Sequence, residues 1–197
     1  MKQLTVLAFA ALMIMLTSCS DGGKEVLVMG SGKITLGENS VTIVPGSRHN
    51  EERLKVTSDK ITVKGFDGDK EIAVPESGLY VLNLKKDTLV GSYQRVVEGS
   101  GETKITQDVL RSRVDSLNKL MAGSNVNAAS RNFFLPPGQI SKISTNTDAQ
   151  VIGPYLRMPT TFEGGKDHEI YKFYTNKEVL EIVNKIKPVM NSTDSAQ

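Results

Sequence analysis

One cysteine, no tryptophan and two histidines are all that this chain holds of three chemically telling residue types. A lone cysteine has no disulfide partner and no second thiolate for a metal, so the fold must stand on its hydrophobic core. Without tryptophan, a sugar-binding platform of large flat rings is disfavoured. Net charge is only +2. Lys55, Lys60, Lys64, Lys70, Lys85 and Lys86 are spread among acids. A nucleic-acid surface needs its basic residues gathered on one face, so nucleic acid is not an expected partner. No internal repeat and no low-complexity tract occurs. Hydrophobic content of 39% in 197 residues is enough for one good core or two small ones.

The one long apolar run stands at the N-terminus. Lys2 precedes Leu4–Leu16, 13 residues interrupted only by Thr5. A spanning helix needs roughly 20 residues, and a core helix would show a polar face. The run reads instead as the apolar region of a secretion signal. It ends in Leu16-Thr17-Ser18-Cys19, which resembles the lipobox of bacterial lipoproteins: an apolar residue, two small ones, then cysteine. The resemblance implies cleavage before Cys19, a diacylglyceryl thioether on its sulfur and acylation of its new amine. The membrane would then be a partner through that lipid, since two or more acyl chains hold firmly. Ser20 stands where aspartate would retain an inner-membrane lipoprotein, which favours the outer membrane of the cell envelope. Ser20–Glu25 would reach at most about 20 Å, so the folded part should sit close to the bilayer.

Residues 26–188 read as a single α+β domain after a signal peptide (1–18) and a short tether (19–25), with a polar tail at 189–197. The first part, 26–97, is β-rich and reads as an antiparallel β-sandwich or small barrel. Its expected strands are Val26–Met29, Lys33–Leu36, Val41–Val44, Arg53–Thr57, Lys60–Lys64, Glu71–Val74, Leu79–Leu84 and Leu89–Val97. Gly37-Glu38-Asn39, Pro45-Gly46-Ser47 and Pro75–Gly78 are expected breaks, and Asp67-Gly68 a hairpin turn.

The second part, 98–188, reads as mixed strands with two amphipathic helices. One is expected over Gln107–Ala122, with Thr106 as cap, Gly123 as stop and a solvated face of Arg111, Arg113, Asp115 and Lys119. The other is expected over Lys177–Lys187, with Asn176 as cap and Pro188 as stop. Residues 124–138 read as a loop, and strands are expected at Ile140–Ser144, Val151–Met158 and Glu169–Thr175.

No pattern here carries established chemistry. Gly30-Ser31-Gly32-Lys33 lacks the glycine and the Ser/Thr of a phosphate loop. Asp67-Gly68-Asp69 lacks the later positions of a calcium loop. No catalytic residue, metal ligand or cofactor is assigned. His49, beside Glu51 and Glu52, and His168, beside Asp167 and Glu169, are the only imidazoles that folding could bring to carboxylates. Phe133, Phe134, Pro136 and Pro137 form a proline-stiffened aromatic loop, a candidate binding surface for an envelope protein partner. Ser195, in Asp194-Ser195-Ala196, resembles a short acceptor motif for bacterial O-glycosylation. The expectation is a non-catalytic envelope lipoprotein with a binding or accessory role. The alternative is a lipid-anchored hydrolase using His49 or His168 with nearby carboxylates.

Overall fold

The computed structural model describes residues 23–94, 107–127, 129–157 and 169–194. Cys19, Thr106, His168 and Ser195 therefore lie outside the described residues. The fold is α+β, with two sheets and a helical layer.

The first sheet holds β1 (Lys24–Gly37), β2 (Ser40–Val56), β3 (Lys60–Lys64), β4 (Lys70–Ala73), β5 (Gly78–Leu84) and β8 (Ile140–Ser144). Its order is β4-β3-β2-β1-β5-β8, and it curls into a nearly closed, barrel-like form. The second sheet runs β7-β6-β10-β9, from β6 (Leu89–Gln94), β7 (Asn132–Leu135), β9 (Gln150–Ile152) and β10 (Ile170–Thr175). Helices α1 (Gln107–Met121) and α2 (Asn176–Asp194) complete the described elements.

Alternation along the strands builds three packed layers. Val26 and Val28 of β1 point into the barrel with Leu54, Val56, Tyr80, Leu82 and Leu84. Leu27 and Met29 point outward, with Leu79 and Val81, onto Tyr171, Phe173, Leu89 and Leu135 of the second sheet. Strand β5 is thus buried on both faces along its whole length. The far face of the second sheet, through Val90 and Tyr174, packs on Val114 and Leu120 of α1 and on Val179 and Val183 of α2. Tyr171 and Phe173 share one face and Tyr174 takes the other, as a period of two requires. Opposite Phe173 stands Gly91. A methyl at that glycine would meet the Phe173 ring at 2.5 Å, so the ring lies flat across the strand.

Several local expectations needed correction. Strands β1 and β2 are each continuous where four short strands were expected. Within 26–97 the antiparallel expectation holds for β1 with β2 and β3 with β4, but β1 pairs with β5 and β2 with β3 in parallel. Phe133 and Phe134 lie on β7, not in a loop. Phe133 packs into the core between the sheets and Phe134 into the helical layer. Strand β9 is only three residues long and ends before Gly153.

Helix α2 is capped by Thr175, one residue earlier than expected, in a capping box. Glu178 N donates to Thr175 Oγ1 at 3.2 Å, and Thr175 N donates to the Glu178 carboxylate at 2.8 Å. Pro188 does not stop α2, which runs on to Asp194. An interior proline removes one backbone donor without forbidding the turns beyond it, and no further breaker follows until Asp194. Helix α1 starts where expected and ends one residue earlier, at Met121, with Gly123 as its stop. Gly123, at φ 68°, donates to Leu120 O, and Ser124 donates to Lys119 O at 2.8 Å, the paired bonds of a Schellman stop. The Asp67-Gly68 turn also matches, with φ of 48° and 88° between antiparallel β3 and β4.

Candidate functional site

Two places concentrate polar chemistry: a buried network between the two sheets, and an open cleft between the second sheet and the helices.

The network begins with a bulge. Gly32 pairs with Pro45 and Ser31 with His49, so Gly46, Ser47 and Arg48 have no partners on β1. Three is an odd number, and an odd insertion reverses which face each later residue meets. Before the bulge, Val41 and Ile43 point into the barrel; after it, Leu54 and Val56 do. His49 and Glu51 are thereby turned outward, toward the second sheet. Gly32 makes the crossing feasible. Its φ is 122°, and a Cβ there would lie 2.1 Å from Val44 O and 2.5 Å from Gly46 N. Asn50 Nδ2 donates to Gly32 O and pins the bulge from the other side.

The register then lines up three side chains. Ser31 sits opposite His49 and one position past the Gly30–Leu84 pair, which brings it beside Lys85. Lys85 Nζ donates to Ser31 Oγ at 3.1 Å and lies 3.2 Å from His49 Nδ1. His49 Nε2 lies 2.7 Å from Glu51 Oε1. An ammonium can only donate, so Nδ1 accepts from Lys85 and Nε2–H donates to Glu51. The Tyr155 ring closes over the row, edge-on to His49 at 5.8 Å and 5.5 Å from Lys85 Nζ.

A second lysine, Lys172 of β10, reaches the network from the helix-facing side of the second sheet, the face it shares with Tyr174. Lys172 is 3% exposed, and its Nζ donates to Gly153 O at 2.5 Å. Gly153 lies directly against the Glu51 carboxylate; a methyl at 153 would overlap Oε1. The next turn carries Tyr155 at φ 66°, and Tyr155 N donates to Glu178 Oε1 at 2.6 Å. The strap Gly153–Tyr155 is thus held by the first sheet, the second sheet and α2 together. Desolvation lowers the pKa of both lysines. Asp87, Glu178 and Glu51 oppose the shift at Lys85, and Glu178 and Glu51 oppose it at Lys172.

Lys85, read from sequence as one charge among scattered surface charges, is 4% exposed. A signal for both lysines existed. Lys85 follows Leu79, Val81 and Asn83 on one face of an apolar strand, and Lys172 interrupts Ile170-Tyr171-Lys172-Phe173-Tyr174. His49 does meet a carboxylate, but both of its ring nitrogens are already engaged.

The cleft is a space of about 540 Å³ on the helical side of the second sheet. Register explains one wall. Asn132 of β7 stands opposite Ser92 of β6, with Gln94 and Tyr174 on the same face. Helix α1 presents Arg113, Ser116, Leu117 and Leu120, and Ile182 of α2 closes the apolar floor. Arg113 falls on the solvated face expected of α1, yet it borders this space. Burial raises the pKa of Tyr174, assisted by Glu178 and opposed by the positive charge of Arg113.

Beside the cleft, Arg131 stacks over the Tyr93 ring at 4.0 Å and donates to Tyr171 OH at 2.9 Å and to Glu169. Glu169 also accepts from Ser144. This cluster ties β8 to the second sheet.

Among the described residues, no three His, Cys, Asp or Glu side chains gather as a metal-binding set. No helix among them is long and apolar enough to cross a membrane. Compared with known proteins, the chain matches no family model, no curated relative and no solved structure. Its functional reading therefore rests on its own residues.

Proposed function

We propose that this protein is a non-catalytic envelope lipoprotein. Lipid on Cys19 holds it at a membrane, the outer membrane in preference to the inner, and its cleft binds a small ligand. The observation that carries the binding role is the cleft itself. Its volume falls within the range of small-molecule sites, and it combines an apolar floor with a few convergent polar groups. The test is an amide NMR titration of the full chain with a mixture of small polar fragments. Saturable shifts confined to Ser92, Gln94, Ser116 and Asn132 support the reading; shifts scattered over the surface, or none, overturn it.

One observation favours a hydrolase, though with a serine and a lysine in place of the histidine and carboxylates expected from the sequence. Ser31 Oγ lies within hydrogen-bond reach of a buried lysine whose pKa is lowered, the arrangement of a serine nucleophile with a lysine base. Against it, Lys85 is also committed to His49, His49 to Glu51, and Tyr155 covers the row. The network is internally satisfied and joins three layers, which is the work of a structural clamp. Covalent labelling of Ser31 by a fluorophosphonate would reverse this ranking; an unlabelled serine with Lys85 intact removes the alternative.

A further inference from the structure

The proposal rests on the cleft being the binding site, and it concerns what the cleft takes. From the groups left free there, we infer that the ligand is a short peptide with a free C-terminal carboxylate.

Arg113 is the single charged side chain lining the cleft among the described residues, and no described carboxylate pairs with it. A guanidinium that no described carboxylate engages, beside a half-enclosed space, selects an anion, and its planar fork fits a carboxylate best. The remaining groups select what the carboxylate is attached to. Gln94 Nε2 is turned back onto Ser92, and Asn132 Nδ2 donates to Asn125 O. Neither amide oxygen accepts from a described residue, so both stand as acceptors at the cleft, which calls for N–H donors on the ligand. The Tyr174 hydroxyl makes no hydrogen bond to a described residue and adds a donor. Leu117, Leu120 and Ile182 form a floor that would take an apolar side chain.

An anion, backbone N–H groups and one apolar side chain in a space of 540 Å³ describe two or three residues at a peptide C-terminus. A simple sugar brings hydroxyls but neither the anion nor the apolar group. A fatty acid would leave the amide carbonyls unpaired, at a desolvation cost.

The probes are the tripeptide Gly-Gly-Leu as free acid, the same peptide as its C-terminal amide, and acetate. Each is titrated into the full chain by calorimetry, with amide NMR to locate the site. The free acid should bind about tenfold more tightly than the amide, a difference of about 1.4 kcal/mol, and acetate more weakly than either. Arg113→Ala should lower free-acid affinity to the level of the amide and leave the amide unchanged, which a folding defect would not do. Equal binding of acid and amide, or an Arg113→Ala variant that keeps the preference, overturns the inference. If neither peptide binds while other fragments still shift the cleft amides, the peptide assignment fails and the cleft stands. If nothing shifts them, both fail.

Discussion

Replacing Glu51 by glutamine removes one charge and almost no volume, so it isolates the electrostatics of the buried network. The Glu51 side chain is 19% exposed and lies 2.7 Å from His49 Nε2. It is also one of the carboxylates that favour the charged form of both Lys85 and Lys172. The amide oxygen can still accept from His49 Nε2–H, so what is lost is charge: a hydrogen bond to a charged group is worth about 1.5–3 kcal/mol, and breaking a buried ion pair costs about 3–5 kcal/mol. Residual solvent contact, and the charges of Glu178 and Asp87 that remain, pull the figure toward the lower range. We expect Glu51→Gln to cost about 2–3 kcal/mol, or roughly 4–12 °C in melting temperature for a chain of this size.

The sign of the pH dependence gives a second check. In the variant both lysines are pushed further below their ordinary value of 10.5. The unfolded chain then binds more protons than the folded one over a wider interval, and stability rises with pH across it. The deficit measured by urea unfolding should therefore shrink as pH rises from neutrality toward 10.5. A deficit under about 0.5 kcal/mol near neutrality, or one that grows with pH, would refute this account of the network.

Three further perturbations probe the elements that build it. Gly32→Ala places a methyl against two backbone atoms at φ 122°, which nothing nearby can yield to; it should cost about 3 kcal/mol or more, read by urea unfolding. Gly153→Ala pushes only the end of a flexible carboxylate; it should cost less, about 1–3 kcal/mol, and move the His49 imidazole resonances in NMR, whereas unchanged resonances would contradict the contact. In Lys172→Met the buried ammonium is gone, so the rise of stability with pH below 10.5 should flatten relative to the parent chain. Above about pH 10 stability should fall in both proteins, because burial raises the pKa of Tyr171 and Tyr174 and the unfolded chain sheds those protons first.

What was legible in the sequence was local. The stripe Val114, Leu117, Leu120 and Met121 names a helix because its spacing alone fixes the face. Asp67-Gly68 names a turn because few residues accept positive φ. The bulge was not legible: Gly30-Ser31-Gly32 and Pro45-Gly46-Ser47 carry turn chemistry, and only the pairing of one against the other turns two apparent breaks into one crossing. Parallel pairing of β1 with β5 depends on contacts some fifty residues apart. Phe133 and Phe134 looked like a loop because two prolines follow, yet Leu135 still pairs with Leu89 before the chain turns. His49 was named and its carboxylate neighbour was visible. Lys85 and Lys172, which decide its surroundings, read as ordinary surface charge. The cleft was beyond sequence altogether, since its walls come from five separate strands and helices.

Lipid anchoring at Cys19 is tested most directly by intact-mass measurement of the protein purified from a bacterial envelope. The prediction is a chain that begins at Cys19 and carries the mass of acyl chains, with Cys19→Ser giving neither the cleavage nor the added mass. Any further hexose mass would support modification at Ser195, and lipid without sugar would remove that idea alone. A mature chain of unmodified mass, or one cut elsewhere with a free Cys19 thiol, would contradict the lipoprotein reading.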